Sequence, residues 1–304
     1  MPLNPIAFSV VVATCNRPGP LSDCLRALRA QTLPCDRFEV IVVDDGGDDD
    51  LAGVCGPFEP KLNVRLEKKA NGGPASARNH GAALARGQWL AFTDDDCEPA
   101  SGWLAELERC FVVNPGAMIG GHTHNRLQGN LFSQASQDII DLVYRHYNER
   151  NDRARFLTAN NMALPREAFL DMGGFDAEFS AGTAEDRELC ERWLQAGRRI
   201  VYQPELEVYH SHSLDLRAYL RQHFNYGRGA RSYRRICRQR HWRALGRDVS
   251  WQLRVHDWLL HHFRTGQTRP IRRMLALFAW QIANGLGYLW QALMDQGPQR
   301  GNNG

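Results

Sequence analysis

Residues 8–13 (Phe-Ser-Val-Val-Val-Ala) form a β-branched run, the pattern of a strand buried in a parallel sheet. Leu21, Cys24, Leu25 and Leu28 then recur at the spacing of a core-facing helix. A second β-rich run covers residues 38–43, a short third one 63–66 and a fourth 88–92, with a small-residue helix at 75–85 between the last two. Strands that alternate with helices in this way predict βαβ units and a mostly parallel sheet. An amphipathic helix at 101–113 closes this regular part, after which the alternation breaks down. Residues 130–150 read as helix, 156–164 as extended and 185–196 as helix, with Leu189, Trp193 and Ala196 on one face. A flexible loop at 180–184 leads into that last helix, with Thr183 as its N-cap. Short strands at 199–202 and 206–209 follow, the second delivering His210. From residue 214 the pattern is helical, 274–294 runs without a charge, and 295–304 has the composition of a tail.

The polar residues fall where such a sheet puts its ligands. Open α/β sheets bind outside the carboxyl ends of their strands. Thr14-Cys15-Asn16, Asp44-Asp45 and Asp94-Asp95-Asp96 each follow a predicted strand, so three tips converge on one crevice. Three adjacent carboxylates at the end of a hydrophobic strand repel one another unless a cation or donors lie among them. Asp94 and Asp96, two apart, point the same way from extended backbone and can share one divalent ion. Neither GxGxxG after the first strand nor GxxxxGK[ST] occurs, which argues against a dinucleotide fold or a P-loop.

Composition adds an asymmetry. An apolar fraction of 43% and a charged fraction of 23% are those of an ordinary globular protein. The net charge of +3 conceals fifteen Arg against three acids between Leu214 and Arg273, a local balance of +12, which leaves −9 elsewhere. The C-terminal part is therefore suited to an anionic partner. The eight cysteines are scattered, with no CxxC pair and no zinc-site spacing, so they read as small core hydrophobes in a reducing compartment. The first residues lack a basic leader and run straight into a strand, so no signal peptide is expected.

The ordered series Thr14-Cys15-Asn16-Arg17, Val43-Asp44-Asp45-Gly46, Asn71-Gly72-Gly73-Pro74 with Ala77-Arg78-Asn79, Asp94-Asp95-Asp96, Gly173-Gly174-Phe175-Asp176 and Glu185-Asp186 resembles a family 2 glycosyltransferase of GT-A fold. The resemblance runs from about residue 8 to about residue 212. It implies an α/β, Rossmann-like, mostly parallel sheet flanked by helices. It also implies a catalytic domain at 1–213, with a nucleotide half to about 115 and an acceptor half from 116, to which the residue pattern adds a helical extension at 214–294 and a disordered tail. The implied activity is inverting transfer of a sugar from a nucleotide-diphosphate donor, most readily a UDP-sugar, to an acceptor hydroxyl. The middle of the chain (121–160) and the C-terminal helices would meet the acceptor, and no motif there identifies it, nor the sugar or linkage.

By the same resemblance, Asp96 is the foremost ligand of a divalent metal, Mn²⁺ or Mg²⁺, with Asp94 sharing the ion or lying near the ribose, and His210 a further ligand beside His212. Asp95 joins the nucleotide site as a neighbour. Thr14 and Asn16 line the base pocket, Asp44 and Asp45 accept hydrogen bonds from the base, and Arg78 reaches the base or a phosphate. Asp186 of the Glu185-Asp186 pair is the general base. Gly47 stands where the family pattern has Ser, which weakens strict uridine preference. Two other readings fit parts of the pattern: a nucleotidyltransferase, or a silent nucleotide-sugar binder or membrane adaptor.

Arg217, Arg221, Arg228, Arg231, Arg234, Arg235 and Arg238 leave a basic face on the C-terminal helices, with Tyr219, Phe224 and Tyr226 on another. No nucleic-acid recognition motif accompanies them, so no nucleic-acid partner is expected, and an interfacial helix on anionic lipid accounts for them. Residues 274–294 are long enough to span a bilayer, yet Gln281, Asn284, Gln291, Gly285 and Gly287 make them a poor spanning helix. Leu275, Phe278, Ile282, Leu286 and Leu289 trace a stripe suited to peripheral membrane contact or to packing on the catalytic body. Arg269, Arg272 and Arg273 would suit a cytoplasmic flank, and the expected location is the cytoplasm or its membrane face.

Overall fold

The computed structural model describes residues 6–179, 184–242 and 270–296. The expected loop at 180–183 with its Thr183 cap, Arg269, and the tail from 297 lie outside the described residues.

Strands β1 (Phe8–Thr14), β2 (Phe38–Asp45), β3 (Val64–Lys69) and β4 (Trp89–Asp94) form the parallel part of the main sheet, in the order β3-β2-β1-β4. Helix α1 (Pro18–Arg29) opens with a proline in its first turn and buries Leu21, Cys24, Leu25 and Leu28. A single turn, α2 (Ala52–Cys55), precedes β3. Helix α3 (Gly73–Leu84) lies so close to the sheet that a Cβ on Gly81 would come within 2.5 Å of Val11 Cγ1. Its small residues are therefore a packing requirement. The short strand β5 (Cys97–Pro99) and helix α4 (Trp103–Val113) follow the acid triplet.

Beyond α4 the chain supplies short strands and long helices: β6 (Met118–Gly120), β7 (Thr123–Asn125), α5 (Leu131–Tyr147), β8 (Met162–Pro165), α6 (Arg166–Asp171), α7 (Glu185–Gln195), β9 (Ile200–Tyr202), β10 (Val208–His210), α8 (Leu216–Gln239) and α9 (Pro270–Met294). The main sheet continues β4-β8-β6-β9, with β8 antiparallel to both neighbours. A second sheet, β5-β10-β7, lies beyond the acid triplet. The stretch expected to be extended at 156–164 instead carries a 3₁₀ turn at Ala159–Asn161. Side chains cause this: Thr158 Oγ1 donates to Asn160 Oδ1, and Asn161 Nδ2 donates to the carbonyls of His122 and Leu206.

Helices α8 and α9 run in the same direction, with Tyr219 Oη donating to Ala276 O near their beginnings and Arg231 Nε to Asp295 near their ends. They meet backbone to backbone: a Cβ on Gly227 would lie 2.0 Å from Asn284 O, and one on Gly287 would lie 1.9 Å from Phe224 O. The pair packs on α5 through Leu142, Tyr219, Ala276, Leu277 and Trp280. Asp295, assigned by sequence to the tail, is held by Arg231 and Arg235. The five residues of the predicted stripe face outward, because the inward face of α9 is built from Ala276, Leu277, Trp280 and Ala283. Among the described residues no helix is long and apolar enough to cross a membrane.

Candidate active site

Register brings the polar clusters together. Thr14 lies beside Asp44, and Ala13 beside Asp94, so the ends of β1, β2 and β4 form one edge. Asn16 adopts a left-handed backbone (φ 54°) just past β1, and its Oδ1 accepts from the amides of Asp48 and Asp49. Asp44 Oδ1 accepts from Gly47 N at 2.8 Å. Asp45 sits at the entry to α3, accepting from Gly72 N at 3.0 Å, Gly73 N at 2.7 Å and Lys69 Nζ at 2.7 Å. A carboxylate at a helix N-terminus complements the unpaired amides there. These three side chains thus fix the loops that frame the β1–β2 edge.

The acid triplet divides into three environments. Asp94, half-buried, accepts from Arg78 Nη2 at 2.6 Å. Asp95 is buried and turned to the loop after β1, accepting from Thr14 Oγ1 at 2.7 Å and pairing with Arg17 Nη1 at 2.8 Å. Burial pushes it up to about 6, with Asp94 and Asp96 adding to the effect against Arg17 and Thr14. Asp96 is also buried and meets Arg17 Nη2 at 2.7 Å, His210 Nε2 at 3.1 Å and His212 Nδ1 at 3.4 Å. Burial alone would raise it, but the hydrogen bonds from His210 and His212 and the charges of His210 and Arg17 hold it well below the usual carboxylate range.

The histidines arrive from far along the chain by a backbone ladder. His210 on β10 pairs with Cys97 on β5, and Ser211 N donates to Asp96 O at 2.9 Å. Ligand atoms of Asp96, His210 and His212 lie within 4.8 Å of one another, as do those of Asp94, Asp96 and Cys97. Burial raises the Cys97 thiol well above its ordinary value, so it remains a thiol and a poor partner for a hard ion. Carboxylate and imidazole donors in this arrangement fit a Mn²⁺- or Mg²⁺-type cation.

Arg78 joins this corner to the next element. It is buried, and its guanidinium spans Asp94 at 2.6 Å and Glu185 at 3.2 Å. Burial would lower its pKa, yet the charges of Asp94 and Glu185 raise it further. Glu185 and Asp186 open α7, and Asp186 Oδ1 accepts from Arg187 N at 2.7 Å. Burial, together with the Glu185 charge, pushes Asp186 up to about 7. Asp176 lies elsewhere, its Oδ1 accepting from Glu178 N and its Oδ2 3.9 Å from Arg240. The Gly173-Gly174 turn has φ of 80° and 71°, and Asn79 clasps it, accepting from Phe175 N and donating to Phe175 O, each at 2.8 Å. The Ala77-Arg78-Asn79 segment therefore ties both Glu185 and this turn to α3.

Asp186, His210 and His212 share the wall of a cavity of about 330 Å³. Its remaining walls come from α5, α8 and α9, including Tyr147, Tyr226 and Trp280, with Thr158 and Asn160 beside them. Arg17 is the site residue that sequence reasoning left without a role. It bridges Asp95 and Asp96, and an Arg in a loop carries no periodic signal.

The comparisons agree with this geometry. Residues 9–173, more than half of the chain, match the family described as Glycosyl transferase family 2, and residues 94–292 match Glycosyl transferase family group 2. The chain belongs to glycosyl transferase family 2. It is 29% identical over 231 residues to the pre-mycofactocin glycosyltransferase of Mycobacterium tuberculosis, covering 73% of this chain and 46% of that protein. This chain thus spans about half the length of that relative. It is 26% identical over 215 residues to the glucosyl-dolichyl phosphate glucuronosyltransferase of Haloferax volcanii, covering 66% of this chain and 68% of that one. Among solved structures, the mannosyltransferase PcManGT from Pyrobaculum calidifontis, in complex with GDP-Man and Mn²⁺, superposes with a TM-score of 0.71 at 18% identity, over 97% of this chain and 91% of that one. S. aureus TarS 1-349 in complex with UDP-GlcNAc gives 0.59 at 16% identity, over 97% and 93%. At these identities the likeness establishes the GT-A fold.

Proposed function

We propose that this chain is a metal-dependent inverting glycosyltransferase that moves a sugar from a nucleotide-diphosphate donor to a hydroxyl. What supports this reading above all is one cavity whose wall carries both Asp186 and the histidines bonded to Asp96. The named activities of the relatives and the nucleotide-sugar complexes of the structural neighbours point the same way.

The donor lies along the carboxyl ends of β1, β2 and β4, its base against the loops that Asn16, Asp44 and Asp45 hold in place. Thr14 positions Asp95, and Asp95 in turn positions Arg17. Asp96, His210 and Asp94 would hold a divalent cation, which would supply charge neutralisation to a departing diphosphate. Arg78 keeps Asp94 aimed at this corner and, through Glu185, fixes the first turn of α7. The acceptor hydroxyl enters the cavity and gives its proton to an Asp186 oxygen as it attacks the anomeric carbon opposite the leaving group. A base that titrates near neutrality is well matched to this task. An α-linked donor then yields a β-linked product.

The test is a panel of UDP- and GDP-sugars, assayed for Mn²⁺-dependent donor hydrolysis and for thermal stabilisation of the protein. At least one donor should give both signals, and Asp96→Ala should abolish them. Metal-dependent binding of UDP that Asp96→Ala leaves untouched would sink the metal assignment. Binding without turnover on every donor would favour a silent nucleotide-sugar binder.

A further inference from the structure

The outward face of α9 has no partner among the described residues. Of the fourteen large hydrophobic side chains exposed on the described surface, nine belong to this one helix. Leu275, Phe278, Ile282, Leu286, Leu289 and Leu293 repeat at three- and four-residue spacing and are 49% to 66% exposed. Among them the exposed polar side chain is Gln281, and no charge interrupts the row from Met274 to Met294. Soluble surfaces rarely carry so continuous an apolar strip. The packing of α9 on the body does not use it, since Ala276, Leu277, Trp280 and Ala283 fill the opposite side.

A row of positive charge runs beside the strip. On α8, Arg217, Arg221, Arg228, Arg231 and Arg235 fall on one side of the helix at the same spacing. Phe224, expected on the other face, shares that row at the same spacing, and its ring lies 6.5 Å from Trp290 of α9, so the basic row borders the apolar one. The acids described on these helices and their caps are Asp215 and Asp295, and Asp295 is already paired with Arg231 and Arg235. A second copy docked on the same face would bring two Arg rows together. It would also gain little area, because a helix about 37 Å long offers one narrow face, well short of the ~800 Å² per partner of a stable dimer. A surface that is apolar below and anionic at its edge satisfies both rows.

We propose that α9 lies flat on an anionic lipid bilayer, its Leu275–Leu293 row sunk to the acyl boundary and the Arg row of α8 against headgroup phosphates. The helix rests on the bilayer and does not cross it, since no described helix is long and apolar enough to span one. Each Arg near such a surface adds an attraction that added salt screens.

The test is co-sedimentation of the full chain with vesicles of phosphatidylcholine alone, or of phosphatidylcholine mixed with phosphatidylglycerol. Binding should favour the mixed vesicles by about tenfold or more at low salt and decline as salt is added. Phe278→Glu with Leu286→Glu, both at exposed positions, should abolish binding to either vesicle while circular dichroism and thermal melting stay as in the parent. Arg217→Glu with Arg221→Glu should keep the fold and remove the preference for the anionic vesicles. Parent protein that stays in the supernatant with both vesicles would overturn the proposal, as would unchanged binding by the first variant. A parent dimer that the first variant converts to monomer, without vesicle binding by either, would assign the face to a second copy instead.

Discussion

Replacing Asp186 by Asn should have two effects of opposite sign. Asn preserves the size of the side chain and removes its ability to take a proton. If Asp186 is the base, transfer should fall by roughly 10²- to 10⁴-fold at pH 8, with donor binding intact. Stability should move the other way. Burial and the charge of Glu185 raise the folded-state value to about 7, whereas an unfolded Asp titrates near 3.9. Below the lower value both states carry the proton and no penalty arises. Between the two the folded state alone holds it, so the parent loses stability as pH rises, and above about 7 the penalty is complete. Three pKa units correspond to about 4 kcal/mol, and Asp186 borders an open cavity whose water weakens the effect, so about 2 kcal/mol is expected. Asp186→Asn should therefore be the more stable protein at pH 8, by about 2 kcal/mol in urea denaturation with EDTA present, and should converge on the parent near pH 4. An Asn variant that keeps full transfer refutes the base assignment. One that is less stable than the parent at pH 8 refutes the account of Asp186 as a carboxylate whose ionised form the fold disfavours.

Other perturbations report on other parts of the molecule. Arg78→Met should destabilise by about 3–5 kcal/mol, because Asp94 and Glu185 would lose their shared cation, and a second change, Glu185→Gln, should restore part of the loss in a denaturant titration. Gly227→Ala should force α8 and α9 apart, since its Cβ would fall 2.0 Å from Asn284 O, costing about 1–3 kcal/mol in the same titration. Asn79→Ala should release the Gly173-Gly174 turn and cut transfer more than donor binding, a difference that separate kcat and KM measurements reveal.

The parallel part of the main sheet was legible because its strands are long, β-branched and separated by periodic helices. Phe8–Thr14 and Phe38–Asp45 are buried along almost their whole length, so their patterns are nearly pure. Their polar tips then had one place to go. Of the second sheet only β10 was legible, as the short strand expected at 206–209: β5 and β7 have three residues each, too few for alternation to register, and β5 ends in a proline. The burial of Arg78 was also out of reach, since it depends on a small-residue helix meeting an acid from α7 over a hundred positions away. On α9 the periodicity was plain and its direction was not. Large side chains drew the stripe, while the buried face relies on Ala276, Ala283 and Gly287, where smallness permits close approach.

The ladder between β5 and β10 also bears on when the site can exist. Cys97 and His210 are 113 positions apart, and everything between them must be made before the two strands can meet. The entropy of closing so long a loop is recovered only once the segment between them has formed its own structure. A growing chain therefore presents Asp96 without its histidines until β10 emerges. The acid corner is completed late: of the helices that line the cavity, α5 precedes β10 in the chain, whereas α8 and α9 follow it.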